Sequence, residues 1–543
     1  MLQVDRQKKP FVYRQPLRKN LWFCCRSVCL YAVLPFWVAL SITVFVILEN
    51  IDTSTGPMDL VRPDAATRMD SAAAASPTHT GRFLNEEASP RKPMPAPPTA
   101  IPAPSTTKSV SSTTKTTTTK TTSTKSTGSS ARQRLTSGLP ALSALPSLVW
   151  MAPFYAGGGY SSEAISYVLG LLSEYKAQHQ DLGIREFAEH PVEEFVSGLH
   201  KNVSTALSKM DGTGSRKYSW DVAICHSTPD VWLEDGLWGW GDYNPCPPPR
   251  VRFSVGRTMY ETDRLPADWV PRINRLHEAW VPSAHSREQF IFSGVETKKI
   301  VVIPEAVETE FFDPAKYSPL YPRDSKSFRF LTVFKWEKRK GWDVLLRAFF
   351  EEFSADDPVE LLVKTNIFKE GDFMDQVSKF ANQLQTARKP RARYKILGDH
   401  ISLTELPRLY LSADAFVLPT RGEGWGRPLV EAMSMALPVI ATNWSGPTEF
   451  MSEHNSLPLP IEGLTKVEGG LPGHRWAEPS VPRLRHLMRW ATVNQEEAKK
   501  LGARARADMV AYYSPEVIVQ KHVLPQLHRI AAELGIVNTT NSA

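Results

Sequence analysis

The stretch Ala413–Phe450 leaves the chain few folds to choose from. It begins with ADAFVLPT (Ala413 to Thr420), a short apolar run that reads as a buried strand. A glycine-rich turn follows, Gly422-Glu423-Gly424-Trp425-Gly426, and then Pro428, a residue favoured in the first turn of a helix. Leu429, Ala432, Met433 and Ala436 fall at i, i+3, i+4 and i+7, so a helix here presents one apolar face. Pro438 ends it, and Val439–Thr442 reads as the next strand. Strand, glycine turn, helix and strand make one βαβ unit, and its loop lies at the carboxyl end of a strand, where open α/β sheets bind ligands. Two carboxylates frame that loop. Glu423 lies in the turn, and Glu431 lies near the helix N-terminus, where an acidic group is electrostatically favoured and its oxygens accept hydroxyl hydrogen bonds. Paired carboxylates suit a sugar or ribose; a single Glu there is otherwise a surface residue that complements the helix dipole.

The chain has 543 residues, enough for two or three domains. Its net charge of +7 is spread out, and no basic stripe interleaved with aromatics marks a nucleic-acid partner. Five cysteines form no zinc pattern.

The N-terminal quarter differs from the rest. Residues 1–26 carry Arg6, Lys8, Lys9, Arg14, Arg18, Lys19 and Arg26 against Asp5, and Ser27–Leu48 contains no charged residue. As a helix that run is roughly 33 Å long, sufficient for a bilayer core. The positive flank puts the N-terminus in the cytosol, giving a type II anchor, with a cleaved signal peptide as the rival reading. Cys24, Cys25 and Cys29 lie where juxtamembrane cysteines are often palmitoylated. Residues 49–145 are rich in Pro, Ser, Thr and Lys and have too few core-forming side chains to fold, so they read as an extended stem, glycosylated or bare. A single modest span suits an internal membrane, and the expected location is the Golgi membrane, with the endoplasmic reticulum as alternative. Asn202 and Asn538 then head possible N-glycosylation sequons, whereas Asn443 lies in the presumed site loop and is expected unmodified.

From Pro146 the composition becomes globular. LVWMAPF (Leu148 to Phe154) reads as a strand, followed by Gly157-Gly158-Gly159 and a helix with an apolar face of Ile165, Val168, Leu169 and Leu172, for which Ser161 is the candidate cap. Glycines leading into a helix N-terminus allow backbone N–H groups to approach a phosphate, although they also serve ordinary tight turns. Asp221–Cys225 reads as another strand, ending at His226, which is more often structural than catalytic when alone. The following loop carries Trp232, Trp238 and Trp240. It either stacks on an acceptor sugar or packs on its own domain. Cys225 and Cys246 flank it; in an oxidising lumen they pair, and otherwise Cys225 is a buried thiol at a strand end.

The string Gly422 to Met433 closely resembles the E-x7-E signature, G-E-G-[FW]-G-x-P-x-x-E-A-M, of the retaining glycosyltransferases of family 4. Gly256 to Pro266, INRLHEAWVPS and KKIVVIPEAVETEFFDP resemble three consecutive segments of that family, the last written v-i-p-n-g-v-d before its domain crossing. FRFLTVFKWEKRKGW resembles the R-x4-K-G segment, with Lys335 in place of the arginine and Lys340-Gly341 kept. The resemblance spans Pro146 to Ile536 and implies an α/β GT-B fold: two Rossmann-like domains facing a cleft, preceded here by a transmembrane helix and a disordered stem. The expected division is a tail (1–26), an anchor (27–48), a stem (49–145), an acceptor domain (146–318), a nucleotide-sugar domain (319–490) and C-terminal helices packing back on the first domain (491–543). Within the last part, GHRWAEPSVPRLRHLMRWAT is expected to be helical.

The same resemblance implies transfer of a hexose from a nucleotide diphosphate sugar, GDP-mannose or a UDP-hexose, to a glycan, glycoprotein or glycolipid acceptor. It implies retention of configuration, with no cofactor and no metal. Lys335 and Lys340 then hold the diphosphate with backbone groups near Gly158 and Gly159. Glu423 holds the donor sugar, Glu431 binds the ribose, and Trp425 and Gly426 lie against the donor. Glu261 occupies the donor-facing loop where many family members place a histidine. Lys338 and Arg339 read as a solvated basic turn. The alternative is a catalytically inactive GT-B glycan-binding or scaffold protein.

Overall fold

A computed structural model describes residues 144–216, 219–232, 245–322, 326–366, 373–384, 388–470 and 472–536. The expected tail, anchor and stem up to residue 143, Trp238, Trp240 and Asn538 lie outside the described residues. No helix among the described residues is long and apolar enough to cross a membrane. All of them belong to one unit, Gly128–Ala543.

Two six-stranded parallel sheets organise that unit. The first contains β1 (Leu148–Ala152), β2 (Leu182–Glu186), β3 (Val222–His226), β4 (Phe253–Arg257), β5 (Glu278–Val281) and β6 (Ile300–Val302), in the order β2-β1-β3-β4-β5-β6. The second contains β7 (Phe328–Lys335), β8 (Val359–Asn366), β9 (Arg393–Leu397), β10 (Ala415–Leu418), β11 (Val439–Thr442) and β12 (Leu457–Leu459), in the order β12-β11-β10-β7-β8-β9. Every pairing within the two sheets is parallel. A parallel strand covered on both faces must be apolar throughout rather than alternating. LVWMA of β1 and AFVL of β10 are accordingly buried at every position.

β10, the helix Arg427–Ser434 and β11 form the expected βαβ unit. Gly426 opens the helix at φ +117°, a left-handed conformation that favours glycine. The helix ends at Ser434, earlier than Pro438 suggested. Ala436 adopts φ +59° in the turn and does not extend the apolar helix face. The first helix, Gly159–Ala177, is capped by Gly158, not Ser161. Ser161 sits inside the first turn, where its hydroxyl accepts from the Gly158 N–H at 3.2 Å and donates to the Pro153 carbonyl.

The expected continuous helix after Gly473 is also corrected. Arg475–Pro479 is a strand, β14, paired antiparallel with β13 (Ile461–Lys466), and the helix begins only at Val481 behind the Ser480 cap. Trp476 and Ala477 are both buried, so this strand shows no simple alternation and its pairing with β13 defines it. The chain crosses into the second core at Val307 and Phe312, ahead of residue 319. It returns later than residue 491: Ala505 and Met509 still belong to the second core, whereas Ile518, Val519, Leu524, Leu527 and Ile530 pack among Leu148, Trp150 and Tyr167 of the first.

Candidate active site

The carboxyl ends of β4, β7 and β10 converge, and glycines make the convergence possible. Gly341, at φ +70° behind β7, has no room for a side chain: a Cβ would lie 1.9 Å from the Pro419 carbonyl oxygen. A Cβ on Gly422 would lie 2.0 Å from the Glu261 carbonyl oxygen, and one on Gly424 would lie 2.4 Å from Met259. The glycine turn of the second domain is thereby pressed onto residues 259–261 of the first.

Charged side chains meet at this seam. Glu423 is buried and accepts two hydrogen bonds from Lys340 Nζ, at 2.7 and 2.8 Å. Arg339 Nη1 donates to the Gly422 carbonyl at 2.7 Å and lies 3.4 Å from Glu423 Oε2. Its Nη2 lies 3.4 Å from Glu261 Oε1 and 3.3 Å from Glu337 Oε2. Burial pushes the Glu423 carboxyl up, but the Lys340 ammonium and the Arg339 guanidinium outweigh it and hold it below its usual range. Burial, offset only in part by Glu423, pulls Lys340 below the usual ammonium range. Arg421 anchors the same loop by two-pronged pairs with Asp343 at 2.8 and 3.0 Å and with Glu478 of β14 at 3.0 and 3.1 Å.

Lys340, Glu423 and Glu261 thus come together, and Arg339 joins them. The reading of Arg339 as a solvated turn residue is corrected: its guanidinium is a cation between both domains, whereas Lys335 is exposed at the end of β7. No local sequence signal pointed to Arg339; the approach of the glycine turn to residues 259–261 is what encloses it.

Glu431 is turned inward. Its Oε2 accepts from the Tyr410 hydroxyl at 2.8 Å and its Oε1 lies 3.9 Å from Arg427 Nε. Burial holds its carboxyl above the usual range, opposed by Arg427. Tyr410, twenty-one residues away in sequence, carried no pattern that pointed to this contact.

On the first domain, Gly157 adopts φ +74° and a Cβ on Gly159 would meet no atom within 4 Å, so backbone there faces open space. Behind it lies a buried set. Glu163 accepts from Arg257 Nε at 2.7 Å and lies 3.0 Å from His226 Nε2, while Trp150 Nε1 donates to His226 Nδ1 at 3.1 Å. His226 is therefore a structural histidine, fully enclosed, with burial lowering its affinity for a second proton. Among the described residues no group of three or more His, Cys, Asp or Glu side chains is arranged to hold a metal ion.

Two tryptophans turn inward. Trp425 is 1% exposed and packs against Phe450 and Tyr513, with ring centroids at 4.9 and 5.8 Å, so its ring supports the loop from behind instead of facing a donor. Trp232 is buried over Gly256 and packs on its own domain, one of the two readings of the tryptophan loop, so it offers no stacking surface. A disulfide joins Cys225 and Cys246, fixing the end of β3 to the chain beyond the tryptophan loop.

Residues 326–463 match the family model described as Glycosyl transferases group 1. Over 213 residues the chain is 27% identical to a probable sucrose-phosphate synthase of Thermosipho melanesiensis, an alignment covering 37% of this chain and 45% of that protein. The chain therefore spans less than half the length of that curated relative. Among solved structures, Anabaena HepE in complex with UDP and glucose superposes with a TM-score of 0.48 at 14% identity, covering 70% of this chain and 99% of that one. Sucrose-phosphate synthase from Thermosynechococcus elongatus superposes with a TM-score of 0.47 at 14% identity, covering 71% and 99%. The matched residues 326–463 contain Arg339, Lys340, Glu423 and Glu431.

Proposed function

We propose that this chain is a glycosyltransferase of GT-B architecture that moves a hexose from a nucleoside diphosphate sugar to an acceptor hydroxyl. The observation that carries the reading is the buried Lys340–Glu423 pair, 2.7 Å apart, flanked by Arg339 and lying inside the segment matched by the glycosyl transferase model. In the structure the two cations and the carboxylates satisfy one another. A donor brings two things that this set can exchange partners with: a diphosphate for Lys340 and Arg339, and sugar hydroxyls for Glu423.

In the transfer step, the bond between the anomeric carbon and the diphosphate oxygen breaks while one to the acceptor oxygen forms. Negative charge grows on the departing diphosphate, and Lys340 and Arg339 stabilise it most at that point. Backbone N–H groups around Gly158 and Gly159 meet it from the first domain in this reading, the Gly158 N–H exchanging the Ser161 hydroxyl for phosphate. The acceptor proton passes to the departing phosphate oxygen on the same face, which retains the configuration, as the E-x7-E resemblance to family 4 suggests. Glu431 takes the ribose, and Glu261 keeps Arg339 oriented. In this reading the N-terminal charge pattern gives a type II orientation, the modest apolar run favours the Golgi membrane, and the family resemblance suggests a glycan, glycoprotein or glycolipid acceptor.

The test is incubation of the purified chain with GDP-mannose and a panel of UDP-hexoses, reading nucleoside diphosphate release with and without candidate acceptors. Acceptor-dependent release, lowered about a hundredfold or more in Lys340→Ala, is expected. Equal turnover in wild type and Lys340→Ala would remove the basis for the proposal.

A further inference from the structure

A line of buried charge runs from the first-domain glycine turn to Glu431. Glu163 lies on the helix that starts at that turn, and its carboxylate pairs with Arg257 at 2.5 Å. Arg257 Nη1 donates to the Ile303 carbonyl at 2.7 Å, just past β6. Two residues on, Glu305 is 2% exposed. Across the domain seam, Arg427 Nη1 lies 3.5 Å from Glu305 Oε2 and donates to the Ala306 carbonyl at 3.1 Å. Arg427 opens the helix that carries Glu431, one turn later.

Arg427 is anchored on one side only. Its Nη1 is engaged with the first domain, but its Nε is buried, finds no acceptor among the described residues and lies 3.9 Å from Glu431 Oε1. A buried donor without an acceptor is unfavourable, and a shift of roughly 1 Å brings this one into hydrogen-bond range of the carboxylate.

We infer that Arg427 is a positioning residue for Glu431: held by Glu305 and Ala306 of the first domain, it orients the ribose-binding carboxylate only while the two domains keep that contact. The inference rests on the reading of Glu431 as the ribose contact. It makes ribose recognition a property of both domains, although Glu431 belongs to one. A hydrogen bond from Arg427 also favours the ionised carboxylate, the form that accepts two ribose hydroxyls. Because the guanidinium reaches Glu305 and Glu431 with different nitrogens, lysine, with a single nitrogen, does not replace it.

The experiment is calorimetric titration of the purified chain with UDP, GDP and inorganic pyrophosphate, for wild type, Arg427→Gln, Arg427→Lys, Glu305→Gln, Glu431→Gln and the Arg427→Gln/Glu431→Gln double variant. Arg427→Gln is expected to weaken the better nucleotide about tenfold while pyrophosphate affinity stays within about twofold. Arg427→Lys should recover only part of the loss. The isosteric Glu305→Gln, the variant least disturbing to the fold, should show a smaller loss with the same ribose dependence. The double variant should bind no more weakly than Glu431→Gln alone, because both changes remove one interaction. Equal losses for pyrophosphate and nucleotide, or additive losses in the double variant, would show that Arg427 merely supports the fold and overturn the inference. If Glu431→Gln weakens the nucleotide and Arg427→Gln does not, the coupling alone is refuted. If Glu431→Gln leaves nucleotide affinity unchanged, the ribose reading falls and takes the coupling with it.

Discussion

Replacing Glu423 by glutamine should tighten binding of the free nucleoside diphosphate while slowing transfer. The Glu423 carboxylate accepts from Lys340 Nζ at 2.7 and 2.8 Å and has Arg339 Nη1 at 3.4 Å. An incoming diphosphate must draw that ammonium away from the carboxylate. At this separation, and with an effective dielectric of about 20, the attraction is about 6 kcal/mol. The ammonium regains most of it on the phosphate, but free diphosphate brings no sugar hydroxyls for the carboxylate left behind. If a third is unrecovered, about 2 kcal/mol opposes binding, or roughly thirtyfold in affinity. Glutamine keeps the shape and removes that competition, so calorimetry should show tighter binding by this order. Turnover with the full donor should fall about a hundredfold, since the sugar loses its charged acceptor. Weaker or unchanged diphosphate binding in Glu423→Gln would refute the partner exchange, as would unaltered turnover.

The remaining predictions concern pH, the seam and the disulfide. Burial raises the Glu431 carboxyl, so the folded protein protonates it at higher pH than an unfolded chain does. Nucleotide affinity should therefore rise with pH through that raised value and then level off, while the ligand-free Tm loses this group's contribution over the same window; Glu431→Gln should flatten the affinity profile, and a variant with the wild-type profile would contradict the assignment. Gly422→Ala should destabilise the chain by about 1–3 kcal/mol in denaturant unfolding, because the new methyl meets the Glu261 carbonyl oxygen at 2.0 Å. A neutral effect would mean that the two domains separate freely at this point. Cys225 and Cys246 are 21 residues apart and bridged, so the unreduced denatured chain should show neither as an alkylatable thiol. Reduction should cost about 3 kcal/mol in the chain-entropy account.

Much of the second domain was legible because its signals are local. The strand Ala415–Leu418, the glycine turn, the helix from Arg427 and the strand Val439–Thr442 follow from periodicity, glycine placement and proline. Glu423 and Lys340 were named from the sequence, and the structure pairs them. What sequence reading missed depended on contacts between distant segments. Nothing local distinguishes Arg339 from the solvated Lys338; only the approach of Gly422 to Glu261 encloses it. The family resemblance implied that Trp425 lies against the donor, yet its ring packs on Phe450 and Tyr513. β14 was taken for helix because its cationic and apolar residues continue into a true helix at Val481, while its partner β13 precedes it across a turn. Glu305 and Arg427 look like solvent-facing residues until the domains meet, and Tyr410 reaches Glu431 only through the packing of the second core.

The central claim is that donor binding exchanges partners within the Lys340–Glu423–Arg339 cluster. The most direct measurement is a crystal structure of the chain with its nucleoside diphosphate sugar. The account predicts Lys340 Nζ about 3 Å from a phosphate oxygen and the Glu423 carboxylate at hydrogen-bond distance from a sugar hydroxyl, with their mutual bonds broken or lengthened. A bound donor whose diphosphate lies elsewhere, with the 2.7 Å Lys340–Glu423 pair intact, would contradict it.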